Sequence, residues 1–169
     1  MTVHYSQFDS PIGRLILTAN EHAVTGLYFS TGAKARSEPD PQWRRNDQRF
    51  DQARRELKEY FAGDRQQFEL ALEPAATPFQ SRVLVALQQI PYGELRSYKQ
   101  VAESIGAPKA VRAVGTANGN NPIAIFIPCH RVVGSNGALT GFGGGLDAKR
   151  YLLGLEQPQA SFDYIALSN

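Results

Sequence analysis

Over the first 30 residues apolar and polar positions alternate in short runs, the period of half-buried strands. Residues 3–8, 15–18 and 24–29 are rich in β-branched and aromatic side chains, with Ser10-Pro11-Ile12-Gly13 and Ala19-Asn20-Glu21 as turns between them. The pattern predicts an antiparallel meander. Residues 30–46 are polar and carry Pro39 and Pro41, which reads as a surface connection. Phe50, Ala53, Leu57, Tyr60 and Phe61 then recur at helical spacing up to Gly63, predicting an amphipathic helix. Phe68, Leu70 and Leu72 alternate with polar or small neighbours and predict one more strand before Pro74-Ala75-Ala76 breaks the pattern. A lobe boundary is expected there, with lobes 1–76 and 77–169.

From Thr77 the chain turns to short helices with explicit start signals. Thr77-Pro78-Phe79-Gln80 combines an N-cap, a proline in the first turn and a glutamine where a capping box wants one. Phe79, Val83, Ala86, Leu87 and Ile90 make one apolar face, and Pro91-Tyr92-Gly93 stops the helix. Ser97 to Gln100 repeats the capping box and opens a helix with Val101, Ala102 and Ile105 inward. Gly106-Ala107-Pro108 leads into another with Val111, Val114 and Ala117 inward. Together they form a helix-turn-helix pattern. Residues 118–122 read as a polar turn, 123–127 as an apolar run, Gly134-Ser135-Asn136-Gly137 as a hairpin turn and 146–155 as a closing helix. The fold class expected is α+β: an antiparallel sheet lobe with a helix, then a mostly helical lobe with a winged-helix-like helix-turn-helix.

Composition narrows this picture. The 169 residues are 42% hydrophobic and 20% charged, inside the globular range. One cysteine, Cys129, excludes a disulfide scaffold, and with three histidines it excludes a Cys-rich zinc site. No apolar stretch is long enough to span a bilayer and no leader pattern opens the chain, so no membrane partner is expected and the cytoplasm is the default compartment. The net charge of +2 is unevenly spread: residues 77–156 hold 8 Lys and Arg against 4 Asp and Glu, whereas residues 1–76 hold 10 against 11. That excess fits either a solvated surface or a segment that meets a polyanion.

Candidate chemistry gathers in the second lobe. Cys129 follows Pro128 and precedes His130 and Arg131. A thiol attacks as thiolate, which cationic neighbours favour, but a buried structural cysteine reads equally well here. A histidine acting as base needs a third group to fix its tautomer, for which Glu156 is a candidate, with Asp147 and Glu94 as weaker ones. Arg112 lies near the start of the second helix of the helix-turn-helix, where such motifs face nucleic acid, and Lys99 and Lys109 stand ready to neutralise phosphates. Ala110, Ala113, Gly115, Ala117 and Gly119 keep that helix slim, for a duplex or for another helix. Gly141-Phe142-Gly143-Gly144-Gly145 offers backbone N–H groups to a ligand oxygen or serves as a hinge.

Taken together, Ile127-Pro128-Cys129-His130-Arg131-Val132-Val133-Gly134 resembles the active-site signature of the O6-alkylguanine-DNA alkyltransferases. Pro78-Phe79-Gln80, Ile90-Pro91-Tyr92-Gly93, Ser97-Tyr98, Arg112-Ala113-Val114-Gly115, Ala117-Asn118-Gly119, Asn121-Pro122 and Gly143-Gly144-Gly145 fall in that family's order, over about residues 77–156. The first lobe matches loosely.

The resemblance implies a stoichiometric transfer of an alkyl group from O6 of guanine in duplex DNA to Cys129, after minor-groove binding and rotation of the damaged nucleotide out of the stack. By the same resemblance Arg112 fills the vacated space, Ala113, Gly115 and Ala117 lie towards the duplex, and Lys109 meets phosphate. Tyr98 approaches a ring nitrogen of the base or a neighbouring phosphate. Pro128, Val132, Phe142 and Gly143 surround the base, Asn121 braces the nucleophile's turn, and His130, oriented by Glu156, draws off the thiol proton through water. No metal or organic cofactor is implied, and the expected partner is double-stranded DNA bound by a monomer, with clustering along DNA left open. Two positions depart from the family: Val83-Leu84-Val85 where many members carry a tryptophan, and Phe142 where a tyrosine is common. A binding module without transfer, a transcription factor with a structural cysteine, and a hydrolase using Cys129, His130 and Glu156 are the competing readings.

Overall fold

Seven residues on either side of Pro11-Ile12 pair throughout. In the computed structural model, which describes residues 2–159, β1 (His4–Ser10) and β2 (Gly13–Ala19) form a hairpin in continuous antiparallel register. Gly13 has φ +103, a turn conformation that a side chain at this position would strain. β3 (Val24–Tyr28) pairs with β2, and β4 (Arg44–Arg45) adds a parallel edge beside β1, giving the order β3-β2-β1-β4. β2 is buried on both faces from Leu15 to Ala19, because α1 (Asp51–Phe61) and the second lobe both cover the sheet. α1 turns Ala53, Leu57 and Tyr60 inward as its spacing predicts.

The strand expected over 68–72 does not form. Its alternation is genuine, since Phe68, Leu70 and Leu72 are half-buried between exposed neighbours, but only Leu72 makes a bridge, to Val24. The free edge of β3 is shared. Val24 N–H donates to Ala71 O and Glu73 N–H to Val24 O, while Leu27 N–H donates to Pro122 O in the second lobe. No edge is left for a longer ladder.

In the second lobe α2 (Pro78–Gln88) starts at Thr77, whose hydroxyl accepts from Gln80 N–H at 3.1 Å. The reciprocal half of that capping box is absent, because the Gln80 amide donates to Asn120 O instead. At α3 (Tyr98–Ser104) the Ser97/Gln100 box is complete. α4 (Val111–Gly119) follows, running two residues into the expected polar turn. Val114 and Ala117 face inward as predicted, but Val111, the first residue of α4, is exposed. The turn at residues 134–137 closes by Gly134 N–H on Ala138 O without building a hairpin: β6 (Val132–Val133) pairs in parallel with β5 (Arg96–Ser97), and Leu139 is drawn into an apolar cluster with Val133 and Leu153. α5 (Leu146–Glu156) closes the lobe. One apolar core runs from Leu15 and Tyr60 to Val114 and Leu152, across the expected boundary at residue 76. Residues 160–169, the end of the expected second lobe, lie outside the described residues. No described helix is long and apolar enough to cross a membrane.

Candidate active site

The run 123–127 folds back on itself instead of extending. Ile127 N–H donates to Ile123 O at 2.9 Å, and Ile125 takes φ +74, a left-handed conformation that costs a β-branched residue on the order of 1–3 kcal/mol. Cys129 N–H then donates to Ile127 O at 2.8 Å around Pro128 (φ −80, ψ 64), an inverse γ-turn that proline's fixed φ favours. Cys129–Arg131 is one turn of 3₁₀ helix. Two asparagines hold this bend: Asn121 Nδ2 donates to Ile127 O at 2.8 Å and Asn118 Nδ2 to Cys129 O at 3.3 Å.

Cys129 is 4% exposed and borders a cavity of about 180 Å³ lined by Phe29, Lys34, Asn120, Asn121, Phe142 and Gly143 among others. Burial pushes its thiol pKa up, opposed by the Asn121 amide and by the Lys149 and Lys34 cations.

His130 points elsewhere. Its ring is fully buried and shares Glu156 with three other donors. Glu156 Oε2 accepts from His130 Nε2 at 2.8 Å, Tyr60 Oη at 2.6 Å and an Arg131 terminal nitrogen at 3.0 Å, and Oε1 accepts from Arg131 Nε at 2.7 Å. Arg131 also donates to Ile90 O. Burial alone would raise the Glu156 pKa, but His130 and Arg131 outweigh it and hold the carboxyl well below the usual range. An ionised carboxylate only accepts, so His130 carries its proton on Nε2. Burial lowers the imidazole's pKa despite Glu156, so the ring is neutral near pH 7. Nδ1 is then a lone-pair acceptor, buried and without a hydrogen-bond partner among the described residues. Tyr60, Arg131 and Glu156 together fix that tautomer.

The other expected residues divide into groups. Lys109, Arg112, Ala113 and Ala117 line one open groove of about 710 Å³ between α4 and the start of α2, with Thr77, Gln80 and Asn120. Gly115 lies apart from it, its α-carbon turned to the Tyr98 ring. Phe142 and Gly143 share the Cys129 cavity. Pro128 opens on a different cavity with Tyr92 and Arg131. Val132 is buried outside the Cys129 cavity, its carbonyl accepting from Lys149 Nζ at 2.7 Å. Tyr98 Oη lies 2.5 Å from Thr140 Oγ1, and burial raises its pKa. Glu94 and Asp147 make exposed pairs with Arg96 and Arg150 and take no part. A further cavity of about 720 Å³ between α2 and α3 is apolar around Val85 and Ile105 and does not include the thiol.

Sequence reasoning missed Tyr60 and Lys149. Lys149 Nζ is buried on the carbonyls of Val132 and Thr140, and burial lowers its pKa to about 8. Its signal was available: a lysine in the apolar stripe Ala148, Leu152, Leu153 of α5 has to find acceptors. Tyr60 had no such signal, being 96 residues from Glu156.

Comparison with known proteins bears on both lobes. Residues 3–74 match the family model "6-O-methylguanine DNA methyltransferase, ribonuclease-like domain" and residues 78–158 match "6-O-methylguanine DNA methyltransferase, DNA binding domain". The chain is 49% identical over 154 residues to a methylated-DNA–protein-cysteine methyltransferase of Methanosarcina acetivorans, covering 91% of this chain and 98% of that one. It is 48% identical over 162 residues to the Mycobacterium tuberculosis protein of the same name, covering 95% and 96%. A crystal structure of Mycobacterium tuberculosis OGT in complex with DNA superposes with TM-score 0.85 at 47% identity, over 96% of this chain and 98% of that one.

Proposed function

The chain belongs to the O6-methylguanine DNA methyltransferase family, and from that premise we propose that it repairs duplex DNA by moving an alkyl group from O6 of guanine to Cys129, once per molecule. What supports this most is a junction. Asn120 borders both the groove that holds Arg112 and the cavity that holds Cys129, so a nucleotide leaving a duplex seated in the groove has a short way to the thiol.

In this reading residues 1–76 are the scaffold and 77–169 carry DNA binding and transfer. α4 begins without a side-chain cap, leaving its first N–H groups for a phosphate, with Lys109 beside them. Ala113 and Ala117 let the helix approach the minor groove closely, and Arg112 fills the gap left by the extruded base. Extrusion is required because O6 of a paired guanine is out of a thiolate's reach. His130 Nδ1 takes the thiol proton through one bridging water, leaving an imidazolium that Glu156 stabilises. The Cys129 sulfur forms a bond to the alkyl carbon as the carbon–O6 bond breaks, and the freed electron pair stays on the purine. The proton passed through His130 ends on a ring nitrogen of the restored guanine, and in this reading Tyr98, whose hydroxyl rests on Thr140, turns to donate to that base. The product thioether has no easy leaving group, so the protein is consumed.

Intact-mass analysis after incubation with a duplex carrying one O6-methylguanine tests the reading. A gain of one CH₂ per chain on Cys129, absent in Cys129→Ala, is expected. An unchanged mass in folded protein overturns it, and ester or peptide turnover by the same protein would point to a hydrolase.

A further inference from the structure

The loop after β3 brings a lysine from the first lobe to the junction between groove and cavity. Lys34 Nζ donates to Gly119 O at 2.9 Å and to Oδ1 of Asn120, and its side chain lines the Cys129 cavity. The near end of the same loop is fastened to the opposite wall. Thr31 Oγ1 donates to Gly144 O at 3.1 Å, and the Phe29 and Phe142 rings lie 5.3 Å apart. Gly32 (φ +93) sits so close to the glycine-rich loop that a Cβ there would collide with Gly143 O. Residues 29–34 therefore cross from the glycine-rich loop to the C-terminal end of α4, and the transfer chemistry uses none of them.

We propose that Lys34 is a specificity-determining residue: its tie to Gly119 and Asn120 sets the width of the passage to Cys129 and so the size of alkyl group the thiol accepts. The proposal rests on the reading of Cys129 as alkyl acceptor. The two fastenings of the loop differ in kind. At Gly32 backbone packs on the backbone of residues 143–145, and at Gly144 on the Phe29 ring, too closely for a side chain at either glycine. At Lys34 an exposed ammonium on a flexible stem meets acceptors at a helix C-terminus, an attraction that solvent weakens and that opens readily. The releasable end lies on the side from which a flipped nucleotide arrives. With the tie closed, a cavity of about 180 Å³ suits a small substituent. Removing the tie lets the loop's far end swing from α4 and admits larger groups.

Single-turnover rates on one duplex sequence carrying either O6-methylguanine or O6-benzylguanine test this with wild type, Lys34→Met and Lys34→Arg. Any loss of attraction to phosphate cancels in the benzyl-to-methyl rate ratio. That ratio should rise about tenfold in Lys34→Met and stay within about twofold of wild type in Lys34→Arg, which keeps the cation. A DNA-free check compares Cys129 labelling by a bulky N-arylmaleimide and by iodoacetamide: the bulky-to-small ratio should rise in Lys34→Met alone. Unchanged or falling ratios in Lys34→Met overturn the proposal. If wild type transfers no methyl group, the transfer reading falls, and this inference with it; normal methyl transfer with an unmoved ratio sinks the inference alone.

Discussion

Cys129 and His130 are adjacent in sequence and occupy opposite kinds of surroundings. The cysteine borders a cavity that meets the Arg112 groove at Asn120, while the histidine is buried among Tyr60, Arg131 and Glu156. A single 3₁₀ turn divides them, directing one side chain to the cavity and the next into the protein. In the proposed reading the separation shields the proton acceptor: its tautomer is fixed by Tyr60, Arg131 and Glu156, away from the Cys129 cavity, and the sulfur is the group offered to a ligand. Reactive and orienting parts can then fail independently, which makes the contrast testable.

The largest effect belongs on the cysteine side. Cys129→Ala should abolish alkyl uptake by intact mass while costing less than about 2 kcal/mol in urea unfolding. On the histidine side the stability cost should dominate. Glu156→Gln leaves the Arg131 cation buried without its carboxylate, so unfolding free energy should fall by about 3–5 kcal/mol and transfer should slow with it. Tyr60→Phe removes one hydrogen bond to that carboxylate and should cost about 1.5–3 kcal/mol. Acid should probe the same side. The folded pKa values of His130 and Glu156 both lie below their ordinary 6.5 and 4.5, so the unfolded chain binds protons first as pH falls. Stability should be fully present above pH 6.5 and decline below it, with a second decline below pH 4.5, and Glu156→Gln should remove the second; denaturant midpoints across pH measure both. The smallest stability change is expected at the groove. Arg112→Ala should stay within about 0.5 kcal/mol of wild type in unfolding yet slow transfer from a duplex lesion, which single-turnover kinetics will show.

Local signals carried much of this into view from the sequence. The Ser97/Gln100 box, Pro78 after Thr77 and the apolar stripes of α1 and α2 act within one or two turns, and each predicted its helix. The order of motifs from Pro78 to Gly145 identified the family. What was hidden depends on partners far along the chain. The alternation at Phe68, Leu70 and Leu72 was legible, but not that Pro122 had taken part of the β3 edge. Arg131 read as a cation beside the thiol and turned out to anchor Glu156. The bend at Ile125 left no mark at all, because isoleucine is a poor choice for positive φ and only the completed core holds it there.

The backbone bond from Leu27 to Pro122 makes the first lobe a splint for the loop that ends at Cys129. Cutting the chain near residue 76 would strip that splint from the second piece and divide the core the two lobes share. Two such fragments, inert apart, should regain alkyl uptake when mixed, and the same seam offers a place to build a two-part reporter whose assembly is recorded permanently on one sulfur.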